Sequence, residues 1–311
     1  MDVSTWVPRL GWTLAGLLSI AACTREPEVA PKVDAPLSVS ARYTEALDRL
    51  EAGFLDRGWV ISRERDGTPT HTGDSLIWSG MLLAAVPCDR GVKTEAALIE
   101  MITDLGGALV RYIPTVGKVR GASLDGALGL YRGIAHRIKC PGKADLWREA
   151  VRLHSEYVRT KRDLHPTGAT VPPGFTYVLE RLARELGAGG SPDSDDLGLL
   201  RPALAVWAKS TVDMRKPCYR VHLGLLVHQA LDDLGVSPQH EHFCIAAKGG
   251  GMPLVDHFCG QPEPLLTWIE KFEYDRAEYF LQRCSFESEH TDGVLTPGLD
   301  LIVAIRTAYA L

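Results

Sequence analysis

The sequence predicts an all-α protein built from consecutive helical hairpins, with few or no strands. Apolar residues recur at helical spacing through most of the chain from Val39 to Ala310, and clusters of Pro and Gly separate these segments. Alternating runs typical of strands are scarce, and residues 59–62 form the best candidate. With 311 residues, of which 45% are hydrophobic, the chain is long enough to bury a substantial core.

The first 22 residues have the pattern of an export signal. Arg9 precedes an apolar stretch from Leu10 to Ile20, which is too short for a permanent membrane span. The segment Leu18-Ser19-Ile20-Ala21-Ala22-Cys23 resembles the lipobox of bacterial lipoproteins. That resemblance implies cleavage before Cys23 and a diacylglyceryl group on its thiol. The alternative is an ordinary signal peptide cut after Ala22, which leaves Cys23 as a free thiol.

Residues 23–38 are predicted to be a tether, because they are rich in Pro and charge and have no apolar period. The folded domain is predicted to cover residues 39–311. Thr24 follows the lipidated cysteine where an Asp can signal retention in the inner membrane. The expected location is therefore the bacterial cell envelope, with a lipid anchor in the outer membrane.

The first two helices of the domain differ in character. Side chains at positions 43, 47, 50 and 54 lie on one face of an amphipathic first helix. The segment from Asp74 to Val86 is apolar on all sides, with Asp74 at the N-cap position. This second helix is expected to be the most buried one, with the others packed around it.

Similar patterns predict eight further helices along the chain. They cover approximately residues 98–112, 124–138, 147–157, 175–186, 197–212, 219–234, 265–280 and 298–310. Hairpins that pair an apolar inner helix with a mixed outer one can close into a toroid.

Two helix openings support this ring-like arrangement. Gly73-Asp74-Ser75 and Ala122-Ser123-Leu124-Asp125 each stand at the head of an apolar helix. They resemble the inner-helix openings of bacterial α/α-toroid, six-hairpin glycosidase-like proteins. The resemblance covers residues 39–157 and implies an α/α toroid.

Seven cysteines are present, and lipidation of Cys23 leaves an even number, as expected for disulfides in an exported chain. Two of the six follow the C-terminal ends of predicted helices, and two others flank the glycines at 249–251. The predicted pairs are Cys88 with Cys140, Cys244 with Cys259, and Cys218 with Cys284. Six cysteines allow fifteen pairings, and buried reduced thiols are the alternative.

Asp74, Asp125 and Arg111 are the candidate catalytic residues. If the helices that begin near Asp74 and Asp125 run the same way, their carboxylates can face each other across one mouth. Two carboxylates so placed suit cleavage of a glycosidic bond, and Trp78 and Tyr112 could pack against sugar rings. The alternative is structural: each Asp stabilises a helix N-terminus, and Arg111 pairs with one of them.

Two other segments contain residue types of known enzyme or metal sites. Gly73-Asp74-Ser75-Leu76 carries the letters that name the GDSL esterases, but the chain contains no Asn for that family's oxyanion block and no Asp-x-x-His. The segments 240–244 and 256–259 hold His and Cys, the residue types that bind zinc. Their spacing is not that of a standard zinc site, and an exported chain favours a disulfide, so no metal or other cofactor is predicted.

The charge balance argues against nucleic acid as a partner. There are 34 Lys and Arg against 39 Asp and Glu, without a basic stripe. Two function classes follow. The favoured one is a lipid-anchored envelope protein whose helical domain binds a carbohydrate or an envelope protein. The alternative is a polysaccharide-active enzyme, a hydrolase or lyase, that uses Asp74 and Asp125.

Overall fold

The structure is a computed structural model of the chain. It describes residues 37–70, 74–113, 119–171, 173–189, 217–236, 240–247, 252–272, 274, 294–295 and 297–309. Several predicted features lie outside the described residues: the predicted export signal, Cys23, the predicted tether up to residue 36, the helix predicted at 197–212, and Cys284.

Helices dominate the part of the chain that the structure describes, with 65% of residues in helix and 7% in strand. The eleven described helices are α1 (Leu37–Gly53), α2 (Ser75–Ala85), α3 (Val92–Asp104), α4 (Leu124–Arg137), α5 (Lys143–Lys161), α6 (Pro173–Glu185), α7 (Pro217–Asp233), α8 (His240–Ala247), α9 (Pro253–Phe258), α10 (Glu263–Lys271) and α11 (Leu299–Ala308). The prediction of a mostly helical fold is confirmed. The tenth helix, α10, ends at Lys271, earlier than the periodicity suggested.

The described strands are short and antiparallel. They are β1 (Leu55–Asp56), β2 (Trp59–Val60), β3 (Ser62–Glu64), β4 (Pro69–Thr70) and β5 (Val294–Leu295). β1 pairs with β2, and β3 lies between β4 and β5. The first four strands fill the connection from α1 to α2, where the alternating run at 59–62 predicted a strand. Ser79 of α2 accepts a hydrogen bond from the backbone N–H of Val60 at 3.0 Å, which fixes β2 against this helix.

Helix α2 lies in the middle of the described core. Ten of its eleven residues are buried, and the exception is Trp78. This confirms the expectation from its apolar composition, because a helix without a polar face is stable only when other elements cover it on all sides. Tyr43 of α1 donates a hydrogen bond to the carbonyl oxygen of Ala85 at 2.7 Å and so covers the C-terminal end of α2.

Helices α2 and α4 run parallel with their backbones in contact. Gly129 of α4 lies against Ile77, and Gly133, one turn later, lies against Gly80, so residue numbers rise together along both helices. A Cβ atom at position 80 would lie 2.3 Å from the carbonyl oxygen of Gly129. Only glycine permits this approach, since real Cβ contacts are far longer. The two N-termini therefore lie at the same end of the molecule.

Other helices cover this central pair. Helix α7 packs on α4, and α11 packs on both α2 and α1. Helices α3, α5 and α6 pack in sequence, with α6 also touching α4 and α7. These contacts are those of stacked hairpins, but they do not show a closed α/α toroid.

A buried ionic cluster joins the starts of α3 and α5 to the end of α4. Glu95 is 2% exposed. Its carboxylate accepts hydrogen bonds from three side chains, Arg137, Lys143 and Trp147, at 2.5 to 3.3 Å. Burial raises the pKa of Glu95, and these hydrogen bonds more than offset it, so the pKa lies below its ordinary value. The charge of Arg137, which is fully buried, is thereby compensated.

Two of the three predicted disulfides are present. Cys88 bonds Cys140 beside the ionic cluster, and Cys244 bonds Cys259 across the glycine-containing connection between α8 and α9. Both predictions are confirmed. The third pair, Cys218 with Cys284, remains a prediction because Cys284 is not described.

Within the described ranges, none of the helices combines the length and the apolar character that crossing a bilayer requires.

Candidate functional site

A compact loop platform covers the end of the molecule where α4 begins. It consists of residues 105–113, 119–123 and 162–171, and the name is used below for these segments. Four backbone hydrogen bonds of 2.7 to 3.0 Å close a ring in it: Leu109 to Leu164, Leu164 to Ala169, Ala169 to Ala122, and Ala122 to Leu109. Because each segment is bonded to two others, the platform holds its side chains in fixed positions although it contains little regular structure.

The two candidate carboxylates lie at the expected helix ends. Asp74 stands at the N-cap of α2 and Asp125 in the first turn of α4, and the parallel packing of these helices brings both ends to the same side. Asp74 makes no side-chain capping hydrogen bond, so the predicted capping contact is absent, although the side chain has other interactions. Asp125 is only 5% exposed and does not open onto solvent.

Arg111 does not join these carboxylates. It belongs to the platform, where its backbone N–H donates to the carbonyl oxygen of Arg120 at 3.0 Å. Within the described part of the chain its guanidinium forms no ion pair, so the pairing with Asp74 or Asp125 that the structural alternative predicts is not found there. Tyr112 hydrogen bonds to Asp56 and is thus held on the β1 side of the platform.

Asp125 instead belongs to a polar seam between α4 and α7. The seam consists of Asp125, Arg132 and His136 on α4, and His222, Gln229 and Asp233 on α7. Successive members are seven and four residues apart on each helix, so they share one face. At one end of the seam the negative charge of Asp125 partly offsets the lowering of the pKa of His222 by burial, and at the other end Arg132 lies 3.8 Å from Asp233. Residue numbers therefore rise in the same direction along both helices, and α4 and α7 are parallel.

The buried end of the seam holds His222 in its neutral form. Burial lowers the pKa of His222 to about 4, and the negative charge of Asp125 opposes this effect only in part. Neither ring nitrogen has a hydrogen-bond partner among the described residues. The Oγ atom of Ser75, at the start of α2, is likewise buried without a partner there. Buried polar atoms of this kind are commonly satisfied by internal water.

The other end of the seam reaches the surface. A shallow cleft of about 330 Å³ lies where α4, α6 and α7 end, and Asp233, Lys139 and Glu185 are the charged groups on its wall. Lys139 lies 3.8 Å from Asp233. The charges of this cleft are therefore already paired, in part, within the protein.

A second histidine group lies between α7 and α8. Asp232 contacts Nε2 of His240 at 3.1 Å, and Nδ1 of His240 contacts Nδ1 of His228 at 3.0 Å. Burial, followed by the neighbouring His240, lowers the pKa of His228 to about 3. The rings of Phe243 and Phe258 pack against His228. Among the described residues no set of three or more metal-binding side chains occurs, here or elsewhere.

Sequence reasoning identified Asp125 but missed its partner. His222 does not stand out in the sequence, because the other histidine of its helix, His228, is six positions later and so lies on another face. The useful signal was the seven-residue interval, which occurs from Asp125 to Arg132 and again from His222 to Gln229. Two such intervals predict polar faces, but they do not predict that these faces meet.

No protein-family model matches the chain, and neither the curated proteins nor the solved structures contain a match to it.

Proposed function

We propose that this chain is a lipid-anchored protein of the bacterial cell envelope, whose helical domain binds a glycan or a protein partner without chemical turnover. One observation carries the choice of binding over catalysis. The space between α2 and α4, where two catalytic carboxylates would face a substrate, is filled by backbone contact at Gly80 and Gly129.

The backbone contact between α2 and α4 argues against catalysis because catalytic carboxylates must stand apart. Glycosidases hold their two carboxyl groups about 5–9.5 Å apart, on either side of a sugar that must enter between them. Asp125 is 5% exposed, and its negative charge acts on the buried ring of His222. A sugar could reach it only if the parallel helices separated.

The loop platform supports the binding role. Its ring of hydrogen bonds keeps the backbone rigid, so little conformational entropy is lost when a partner binds. It also carries Arg111, whose guanidinium makes no ion pair with any residue that the structure describes. These are the properties of a preformed recognition surface.

Anchoring and fold ancestry form part of the same proposal. The lipobox places a lipid on Cys23, and residues 23–38 tether the domain to the outer membrane. Several acyl chains anchor a protein stably, since each buried CH₂ contributes about 0.8 kcal/mol. The parallel run of α2, α4 and α7, with α3 and α5 outside them, supports descent from an α/α toroid whose centre has become filled.

Replacing the two aspartates separates binding from catalysis. Asp74→Ala and Asp125→Ala would be compared with the parent protein in a polysaccharide screen that measures both binding and the release of reducing ends. We expect no reducing ends from any of the three proteins. Asp125→Ala should lower thermal stability, because it removes a carboxylate from the first turn of α4, where a negative charge interacts favourably with the helix dipole.

The alternative function predicts a different result. If Asp74 and Asp125 cleave a polysaccharide, the parent protein releases reducing ends, and both variants lose this activity while they remain folded. That outcome would replace the binding proposal with the enzyme.

Anchoring is tested by Cys23→Ala. The variant should be exported but should remain unprocessed or appear in the soluble fraction. Its persistence in membranes after a carbonate wash would contradict the lipobox assignment.

A further inference from the structure

Arg111 and Arg120 face each other in the loop platform. The backbone N–H of Arg111 donates to the carbonyl oxygen of Arg120, and the neighbouring residues Val110 and Gly121 form an antiparallel bridge. Opposed residues of an antiparallel pair project from the same face, with Cβ atoms about 5 Å apart. Two positive charges so placed repel each other and destabilise the pair unless an anion lies between them.

The described part of the chain supplies no such anion. Neither guanidinium forms an ion pair or a hydrogen bond with a described side chain. Arg111 is half-buried and Arg120 is exposed. Arg152 on α5 shows the contrast, since it lies 2.7 Å from Glu149. From Arg111 to Leu124 the sequence contains three basic residues and no acidic one.

The platform backbone keeps the two arginines in place. A Cβ atom at Gly121 would lie 2.4 Å from the backbone nitrogen of Gly168, so the segment that carries Arg120 is packed directly on the third platform segment. The N–H of Gly121 also donates to the hydroxyl oxygen of Thr167 at 3.2 Å. The fold therefore sets the spacing of the two backbone positions from which these side chains extend.

We infer that Arg111 and Arg120 bind the carboxylate or phosphate groups of an acidic polysaccharide. This inference rests on the proposed function and names the class of ligand. Each guanidinium presents a planar set of N–H donors that matches a carboxylate or phosphate in a bidentate way. A bound anion would also remove the repulsion between the two arginines.

The charge distribution favours a polysaccharide over a membrane or a nucleic acid. Attachment to an anionic bilayer typically uses clusters of about 4–8 basic residues, whereas this pair is a local feature of a chain with net charge −5. A polymer that carries an anion in each repeat can be bound tightly even if each single site binds it weakly. The reason is that many lipid-anchored copies on one surface bind the same polymer with avidity.

The test uses the full-length protein, purified in a nonionic detergent, with polygalacturonate as the acidic probe and dextran as the neutral one. We expect binding to polygalacturonate, weakened by salt, and none to dextran. Arg111→Gln and Arg120→Gln should each weaken binding about tenfold, as expected for a lost charge-assisted hydrogen bond. Arg152→Gln is the matched control, with the same change of charge on another surface, and should stay within about twofold of the parent.

Arginine-to-lysine variants test the geometry. Arg111→Lys and Arg120→Lys keep the charge but lose the planar donor set, so their affinities should lie between those of the parent and the Gln variants. Thermal melts of all variants establish that they are folded.

Several results would overturn the inference. They are absence of binding to polygalacturonate, unchanged binding by the double Gln variant, an equal loss in Arg152→Gln, or binding to phosphatidylglycerol vesicles in place of the polymer. Capture of a neutral glycan or a protein would end the inference but leave the proposed function intact. Release of reducing ends would instead refute the proposed function.

Discussion

Gly80→Ala tests the contact on which the filled interior depends. The added methyl group would lie 2.3 Å from the carbonyl oxygen of Gly129, and backbone atoms of Gly129 and Leu130 lie within 2.5 Å of it. These neighbours are backbone atoms and cannot rotate away as a side chain can. To restore ordinary contact, about 3.4 Å between heavy atoms, α2 and α4 must separate by about 1 Å.

This displacement lowers the free energy of unfolding. Overpacking a core by one methyl group typically costs about 1–3 kcal/mol. We expect the upper part of that range, because the strain acts on the most extensive contact between described helices. Alanine gains about 1 kcal/mol of helix propensity over glycine. The free energy of unfolding should therefore fall by about 2 kcal/mol, with a decrease in Tm of about 4–8 °C for a chain of this size.

Gly53→Ala is the matched control. Gly53 also lies in a helix, but nothing is within 4 Å of its added Cβ. This variant should be as stable as the parent or more stable, by up to about 1 kcal/mol. Thermal and urea unfolding followed by circular dichroism measures both variants. If Gly80→Ala were as stable as Gly53→Ala, the close approach of α2 and α4 would be wrong, and so would the argument for a filled centre.

Three further predictions concern stability. Burial lowers the pKa of His154 and of His222 to about 4, so their unfolded forms bind protons first as the pH falls below about 6.5. The free energy of unfolding should therefore have its full value above that pH and should decrease by about 1.4 kcal/mol per pH unit and per histidine down to about pH 4. An unchanged midpoint of urea unfolding at about pH 5 would contradict this. Glu95→Gln should cost about 3–5 kcal/mol in urea unfolding, because it leaves a buried arginine charge without its counter-ion, and a loss under about 1 kcal/mol would show that this cluster is dispensable. Reduction of the disulfide between Cys88 and Cys140, which are 52 residues apart, should cost about 4 kcal/mol, whereas free alkylation of both thiols in the unreduced protein would show that the bond does not form.

The helical core was predictable because its determinants are local. The apolar composition of residues 75–85 requires burial on every side, whatever the neighbouring elements are, and the structure confirms this for α2. Cys88 and Cys140 each follow the end of a helix, and this shared position was enough to predict their disulfide.

The candidate site was predictable only in part. Asp74 and Asp125 were correctly placed at helix ends on one side, because parallel inner helices were assumed and α2 and α4 are parallel. The assumption of an open mouth did not follow from the sequence. Arg111 was a candidate catalytic residue beside these carboxylates, but its backbone pairs with that of Arg120 in the loop platform.

By itself, the amino-acid sequence determined the helical class, the buried second helix, two of the disulfides and the prediction of a lipid anchor, because each depends on residues close together in the chain or on their type. Only the tertiary structure decided that Gly80 and Gly129 bring two backbones into contact, since isolated glycines in a helix carry no sign of a partner. It likewise decided that the charge of Asp125 lies near His222, 97 positions later, and that the backbone of Arg111 pairs with that of Arg120. Pairing across such separations depends on how whole helices and loops pack, and packing is a property of three-dimensional complementarity that no local pattern contains.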